Sequence, residues 1–151
     1  MKINQIITEG PKNFDDMQMN NDNKQKDINY FYNDHAPNTF GFPKVIDKFK
    51  EFNVIEFSKY PIKLLFLVDD QNIPLFYVAI KKYKDGIAIG NVRSVGKVKA
   101  TEFYKYLITK YKTLYSDSKQ TPDGKKIWSN LAKYYPELKI TDTGNRLKAT
   151  D

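Results

Sequence analysis

The sequence predicts an α+β fold: a mixed, mostly antiparallel sheet, a meander followed by two helix-connected strands, with helices against it. Three observations carry this expectation. Two continuous apolar runs, residues 63–69 (KLLFLVD) and 74–80 (PLFYVAI), flank the turn-forming DDQN. Such runs suit central strands covered on both faces. A third run, residues 87–95 (IAIGNVRSV), follows Asp85-Gly86, a strong hairpin dipeptide. Beyond it, two segments of helical period alternate with short strand-like runs, and helix crossovers favour parallel pairing there.

In chain order, Ile3, Ile6 and Ile7 predict a short docking turn of helix. Residues 11–27 are polar, rich in Asn, Asp and Gln, and without period. They bury too little to offset the entropy of ordering them, which predicts a flexible segment over 1–27. Residues 28–44 place Tyr30, Phe31, Tyr32, Phe40 and Phe42 among turn formers. This reads as a loop, either a lid on one edge of the core or a wall of a cleft. Residues 43–52 (PKVIDKFKEF) read as a helix, with Pro43 in the first turn and Val45, Ile46, Phe49 and Phe52 on one face.

After the meander of 63–95, Phe103, Tyr104, Leu107, Ile108 and Tyr111 predict a helix over 99–111. TLYSD reads as a short strand. Thr121 is an N-cap with Pro122 at N1 and Asp123 complementing the helix dipole. Ile127, Trp128, Leu131, Tyr134 and Tyr135 give that helix its apolar face, and Pro136 stops it. LKIT is a last strand, and residues 143–151 read as a polar, frayed tail. The expected unit is therefore one domain over 28–142 of the 151 residues.

Composition excludes several classes. There is no run of 18 apolar residues for a membrane span, and the N-terminus lacks the h-region and cleavage site of a secretory signal. Cysteine is absent, which removes disulfides, thiol nucleophiles and cysteine metal sites and fits a cytoplasmic location. The single histidine, His35, supports neither a Ser–His–Asp triad nor a nitrogen-rich metal site, and no Walker A sequence occurs. The net charge of +7 divides as −2 over residues 1–40, +5 over 41–100 and +4 over 101–151. It rests on 23 Lys and only two Arg, Arg93 and Arg146. Base and phosphate readers lean on the guanidinium fork, so the lysines read first as a solvated surface and second as a polyanion site. The abundance of Lys, Asn, Ile and Tyr is also what an AT-rich genome encodes.

The order of elements, together with RSVGKV at residues 93–98, resembles the GNAT-type N-acetyltransferase fold. In that family the strand before the first long helix ends in an Arg/Gln-x-x-Gly-x-Gly/Ala turn. Its backbone amides, with the helix N-terminus, hold the pyrophosphate of acetyl-CoA. Here Arg93 and Gly96 match and Val98 does not, since the family has Gly or Ala there. A helix N-terminus is an anion site on physical grounds, and Lys97 and Lys99 add positive charge. The resemblance spans residues 43–142 and implies a cofactor site of Arg93, Val95, Gly96, Lys97, Val98 and Asn130 for acetyl-CoA or another acyl-CoA. It also implies Tyr134 or Tyr135 as the acid that protonates the leaving thiolate. The family's usual general base, a Glu on the central strands, has no counterpart in IAIGNV. His35, Asp69, Asp70 and Glu102 are the remaining candidates, with loop, turn and helix-dipole readings beside each. Glu102, in the first turn of its helix, would also repel a phosphate.

The opening MKI…IITEG and the pattern SD…QTP.GKK.W..L resemble, in addition, small bacteriophage accessory proteins. Two functions from different classes follow. One is an acyl-CoA-dependent N-acyltransferase acting on an amine. The other is a non-catalytic accessory or inhibitor protein in the host cytoplasm, binding a host protein or nucleic acid through its basic face or aromatic loop.

Overall fold

The computed structural model describes residues 21–151. The expected helical turn at Ile3, Ile6 and Ile7 lies outside them. A helix opens the described chain: α1 (Asn21–Tyr30), a π-helical turn (Phe31–His35) and α2 (Ala36–Phe40). Five strands follow: β1 (Lys44–Phe49), β2 (Phe52–Lys59), β3 (Ile62–Val68), β4 (Pro74–Tyr83) and β5 (Gly86–Ser94). Then come α3 (Ala100–Tyr111), β6 (Thr113–Tyr115), α4 (Pro122–Tyr134), β7 (Lys139–Asp142) and β8 (Leu147–Thr150). All eight strands form one sheet, in the order β1-β2-β3-β4-β5-β6-β8-β7. Every neighbouring pair is antiparallel except β5 and β6.

The α+β class with a mostly antiparallel sheet therefore stands, with four differences in its elements. Residues 21–40 are helical: 21–27 belong to the segment expected to be flexible, whose first 20 residues lie outside the described ones, and 28–40 to the expected loop. Ile28, Tyr32 and Ala36 are buried at successive four-residue steps, which is one helix face laid on the sheet. The widened turn has a local cause. Pro37 has no N–H to give the preceding turn, and just ahead of it Ala36 N–H reaches back five residues to Phe31 O. Residues 43–52 are strand, not helix: β1 and β2 form a hairpin in which Phe49 faces Phe52 across Lys50, a left-handed residue (φ 54°). β2 is a strand that the sequence pattern does not predict. Finally, the tail does not fray. β8 pairs with both β6 and β7, so those two strands are not neighbours and the parallel pairing expected between them does not form.

The core has two layers, one on each face of the sheet. Successive strand residues point to opposite faces, and β4 shows the division. Tyr77 stacks on Phe31 of the N-terminal helix (ring centroids 5.4 Å apart) and on Phe66 (4.9 Å). Its neighbour Phe76 meets Phe103 of α3 at 5.2 Å. Tyr32 completes the first layer against Phe57 and Phe66 and donates its hydroxyl hydrogen bond to Asn72 Oδ1 at 2.7 Å. Burial pushes the Tyr77 hydroxyl up to about 12, as expected for a phenol that cannot ionise in an apolar layer. The second layer continues into α4, where Trp128 meets Tyr104 of α3 edge-on at 6.1 Å.

The capping predicted for α4 is present. Thr121 Oγ1 accepts from Gly124 N–H at 3.1 Å, Pro122 opens the helix, and the helix ends two residues before Pro136. No helix among the described residues is long and apolar enough to cross a membrane.

Candidate functional site

β5 and β6 are the one parallel pair, and they touch over only two residue pairs, Ile87 with Leu114 and Ala88 with Tyr115. Beyond Ala88 they part. β5 runs on to Ser94, whereas β6 stops at Tyr115. At the parting β5 carries a bulge: Val78 pairs with Val92 and Ile80 with Ile89, so Gly90 and Asn91 together oppose Ala79. A bulge of this kind bends a strand away from its neighbour. A small cleft of about 160 Å³ opens there, lined by Ile89, Gly90, Ala79, Asp117 and Arg146 among others. Tyr104 and Trp128, both almost fully buried, join α3 to α4.

At the far end of β5 the chain makes the turn that the sequence singled out. Val95 and Val98 are buried, while Gly96, Lys97 and Lys99 face solvent. Gly96 takes φ +93°, a region that favours glycine. The Ser94 hydroxyl closes the turn: it accepts from Gly96 N–H at 3.1 Å and donates to Val98 O at 3.0 Å. Arg93 does not reach the turn's outer edge, because its Nε lies 3.0 Å from Asp27 Oδ2 on α1. Val98 departs from the family pattern, yet its side chain points into the core and so leaves the outer edge clear.

Two further sequence expectations change here. Glu102, in the first turn of α3, is ion-paired with Lys50 of the β1–β2 turn, so its charge is balanced. The turn's exposed edge, Gly96 to Lys99 at the start of a 12-residue helix, therefore has the chemistry for a phosphate. The two groups the motif would supply, Arg93 and Gly96 N–H, are already bonded.

The other named residues sit elsewhere. Asn130 is half-buried on α4. Tyr134 is 61% exposed, with Lys133 Nζ 5.6 Å from its ring centroid. Tyr135 follows the helix and lies against Lys105 of α3, whose Nζ is 6.0 Å from the ring. Asp69 caps its own turn, accepting from Gln71 and Ile73 N–H at 2.9 Å each. Asp70 is exposed in the same turn. His35 ends the π-helical turn and meets Phe31 edge-on.

One strand carboxylate was missed in the sequence. Glu56 belongs to the unassigned β2, is only 13% exposed at its side chain, and pairs with Lys63 at 3.1 Å. The register Glu56–Leu65–Val78–Val92 sets it three strands from β5. At about 4.8 Å per strand that is roughly 14 Å, too far to serve the parting as a base. Among the described residues no group of three His, Asp or Glu side chains could hold a metal ion.

Comparison with protein-family models and with curated proteins finds no match to this chain.

Proposed function

We propose that the protein is an acetyltransferase-like acyl-CoA-binding protein whose reaction class is N-acyl transfer to an amine. The observation that carries this reading is the parallel pair β5–β6, which parts after two residue pairs beside a bulge. An opening between two sheet strands is a slot for an extended ligand arm. At one end of β5 stands the turn of Gly96, Lys97 and Lys99, whose exposed backbone and two ammonium groups would hold the phosphates. When bound, acyl-CoA would supply the activated acyl carbonyl. The chain's own part is to fix the phosphates at the start of α3, to line the cleft with Ile89 and Gly90, and to exclude water on the helix side with Tyr104 and Trp128. The roles of Asn130 near the cofactor and of Tyr134 or Tyr135 as proton donor rest on the family resemblance.

The test is thermal unfolding in 1 mM acetyl-CoA. A ligand that binds only the folded state raises Tm by mass action, by about 3 °C or more for a chain of this size if the concentration is tenfold above Kd. Lys97→Glu with Lys99→Glu, both on exposed side chains, should remove the rise while leaving the unliganded Tm in place. A wild-type Tm that does not move with acetyl-CoA or CoA overturns the reading.

One observation favours a second reading. The Gly96 amide is spent on Ser94 and the Arg93 guanidinium on Asp27, as in a fold kept for its shape. On that reading the protein is a non-catalytic, phage-type accessory or inhibitor protein that engages a host protein or nucleic acid through its basic residues. A flat response to CoA with salt-sensitive binding of a nucleic acid would support it, since phosphate contacts release counterions.

A further inference from the structure

We propose that a groove at the Gly86 end of β5, the end opposite the Ser94 turn, binds a small aromatic anion. The groove measures about 420 Å³, within the range of ligand pockets, roughly 300–1,000 Å³. It is assembled where the β2–β3 turn, the β4–β5 hairpin and the last turn of α3 meet. Pro61, Ile62, Ile80 and Ile87 give it an apolar floor, and two aromatic rings flank it, Tyr60 and Tyr111. Tyr60 is 82% exposed, a large ring standing in water beside a concave apolar surface. An apolar floor with aromatic rings beside it suits a flat ring system.

The charge on the rim specifies the rest. Lys63, Lys81 and Lys82 all line the groove. Lys63 is committed to Glu56 at 3.1 Å, but among the described residues Lys81 and Lys82 are in no ion pair. Asp85 is the one acidic residue of the lining, and its carboxylate is already used. It accepts from the Tyr115 hydroxyl at 2.6 Å and lies 3.5 Å from Lys148 Nζ. Lys82 shares its face of β4 with Ile80 and lies across from Ile87, while Lys81 takes the other face of the strand, so Lys82 supplies the rim's uncompensated charge and Lys81 adds to the positive field from the far side. The buried Tyr111 hydroxyl has Lys63 beside it, but an ammonium only donates, and among the described residues no acceptor takes the phenol's proton; a buried donor left unmet is the kind of group a ligand's acceptor satisfies. The apolar floor asks for a ring, the lysines for a carboxylate, sulfonate or phosphate, and the phenol for an acceptor oxygen. The groove borders the cleft of the acyl-CoA reading, with which it shares Ile62, Ile80 and Lys81, but none of its lining residues belongs to the phosphate-binding turn at residues 94–99, so loss of the acetyl-CoA response in Lys97→Glu with Lys99→Glu would leave dye binding in place.

The test uses two probes of the same ring system on the full chain. 1-Anilinonaphthalene-8-sulfonate carries the anion, and N-phenyl-1-naphthylamine does not. Fluorescence titration should give one site for the sulfonate, with several-fold weaker binding of the neutral dye. Lys81→Ala with Lys82→Ala should weaken the sulfonate about tenfold, the scale of one lost charge-assisted contact, and leave the neutral dye within about twofold. Tyr60→Ala should weaken both dyes, and Tyr111→Phe should weaken the sulfonate alone. Tyr60, Lys81 and Lys82 are exposed, and an unchanged urea-unfolding midpoint would show that their variants fold. Equal affinity for the two dyes, or sulfonate binding that ignores the lysine pair, overturns the proposal.

Discussion

At the Ser94 end of β5 the chain spends its polar groups on itself, whereas at the Gly86 end it leaves them facing open space. The Ser94 hydroxyl ties down one donor and one acceptor of its own turn, Val95 N–H bonds Leu75 O, and Arg93 is held by Asp27. At the other end the strand starts against β6 so closely that only glycine fits, yet beside it lies a groove with two lysines that no ion pair among the described residues engages and a phenol proton that finds no acceptor among them. The turn carries the recognisable sequence and little unspent hydrogen-bonding capacity. The groove carries no motif and has capacity to spare. A ligand is bound by groups that folding has left unsatisfied, so the plainer sequence is the better-equipped site.

The two glycines that mark these ends test the contrast most strongly. A Cβ on Gly86 would fall 2.1 Å from Thr113 O and 2.7 Å from Thr113 Cβ. Both belong to β6, so Gly86→Ala must push the parallel strand away and should cost about 3 kcal/mol. A Cβ on Gly96 meets nothing within 4 Å, and only its φ of +93° resists. Gly96→Ala should therefore cost about 1–2 kcal/mol, the strain of a left-handed alanine. Urea-unfolding midpoints of the two variants measure the gap. Equal costs would mean that the β5–β6 approach yields more easily than its geometry implies, and the contrast between the ends would fail.

Much of the fold was legible because its signals are local. β3, β4 and β5 are apolar runs between turn dipeptides, and α3 and α4 show their period and, for α4, its cap within a dozen residues. What was missed depends on distant partners. β2 mixes Asn53 and Glu56 into its apolar run, and Glu56 is tolerated there because Lys63 on the next strand pairs with it. With β2 unassigned, β1 had no partner, and the spacing of Val45, Ile46, Phe49 and Phe52 read equally well as a helix. β8 buries only Ala149 fully and owes its place to pairing with β6 and β7. The helix at 21–40 was hidden by its polar composition and by Pro37, which widens the helix rather than ending it. The turn at Arg93–Val98 was visible as a motif, but its closure was not, since Asp27 lies 66 residues away from Arg93. The groove had no linear signal at all: Tyr60, Lys82 and Tyr111 converge from three separate segments.

Removing the Ser94 hydroxyl sharpens the contrast from the other side. Ser94→Ala deletes two hydrogen bonds in a half-exposed turn and should cost about 1 kcal/mol. It also releases the Gly96 amide. If the closed turn is what limits anion binding there, the Tm rise with acetyl-CoA should be larger in Ser94→Ala than in the wild type. A smaller rise would mean that the Ser94-closed form is the one that receives the phosphates.

The gentlest test is pH, and it acts on the hairpin beside the groove. The Tyr115 hydroxyl, with help from Lys148, holds the Asp85 carboxyl below its ordinary value of 3.8. The same contacts run in reverse: Asp85 raises Tyr115 through their hydrogen bond and Lys148 through their charges. A carboxyl whose folded pKa is lowered contributes stability above its unfolded value and loses it as pH falls through the folded one. A phenol and an ammonium whose folded values are raised contribute below their unfolded values, about 10, and lose it as pH rises through the folded ones. The cluster therefore stabilises a plateau from about pH 4 to pH 10 and fades at both edges. Asp85→Asn removes the charge at its centre. Its deficit in urea-unfolding midpoint should be greatest on the plateau and shrink on either side, and because Asp85 is exposed the deficit should be small throughout. A deficit that stays constant from pH 3 to pH 7 would show that Asp85 matters for hairpin geometry alone. Its carboxylate would then be less firmly engaged than the groove's net positive rim requires.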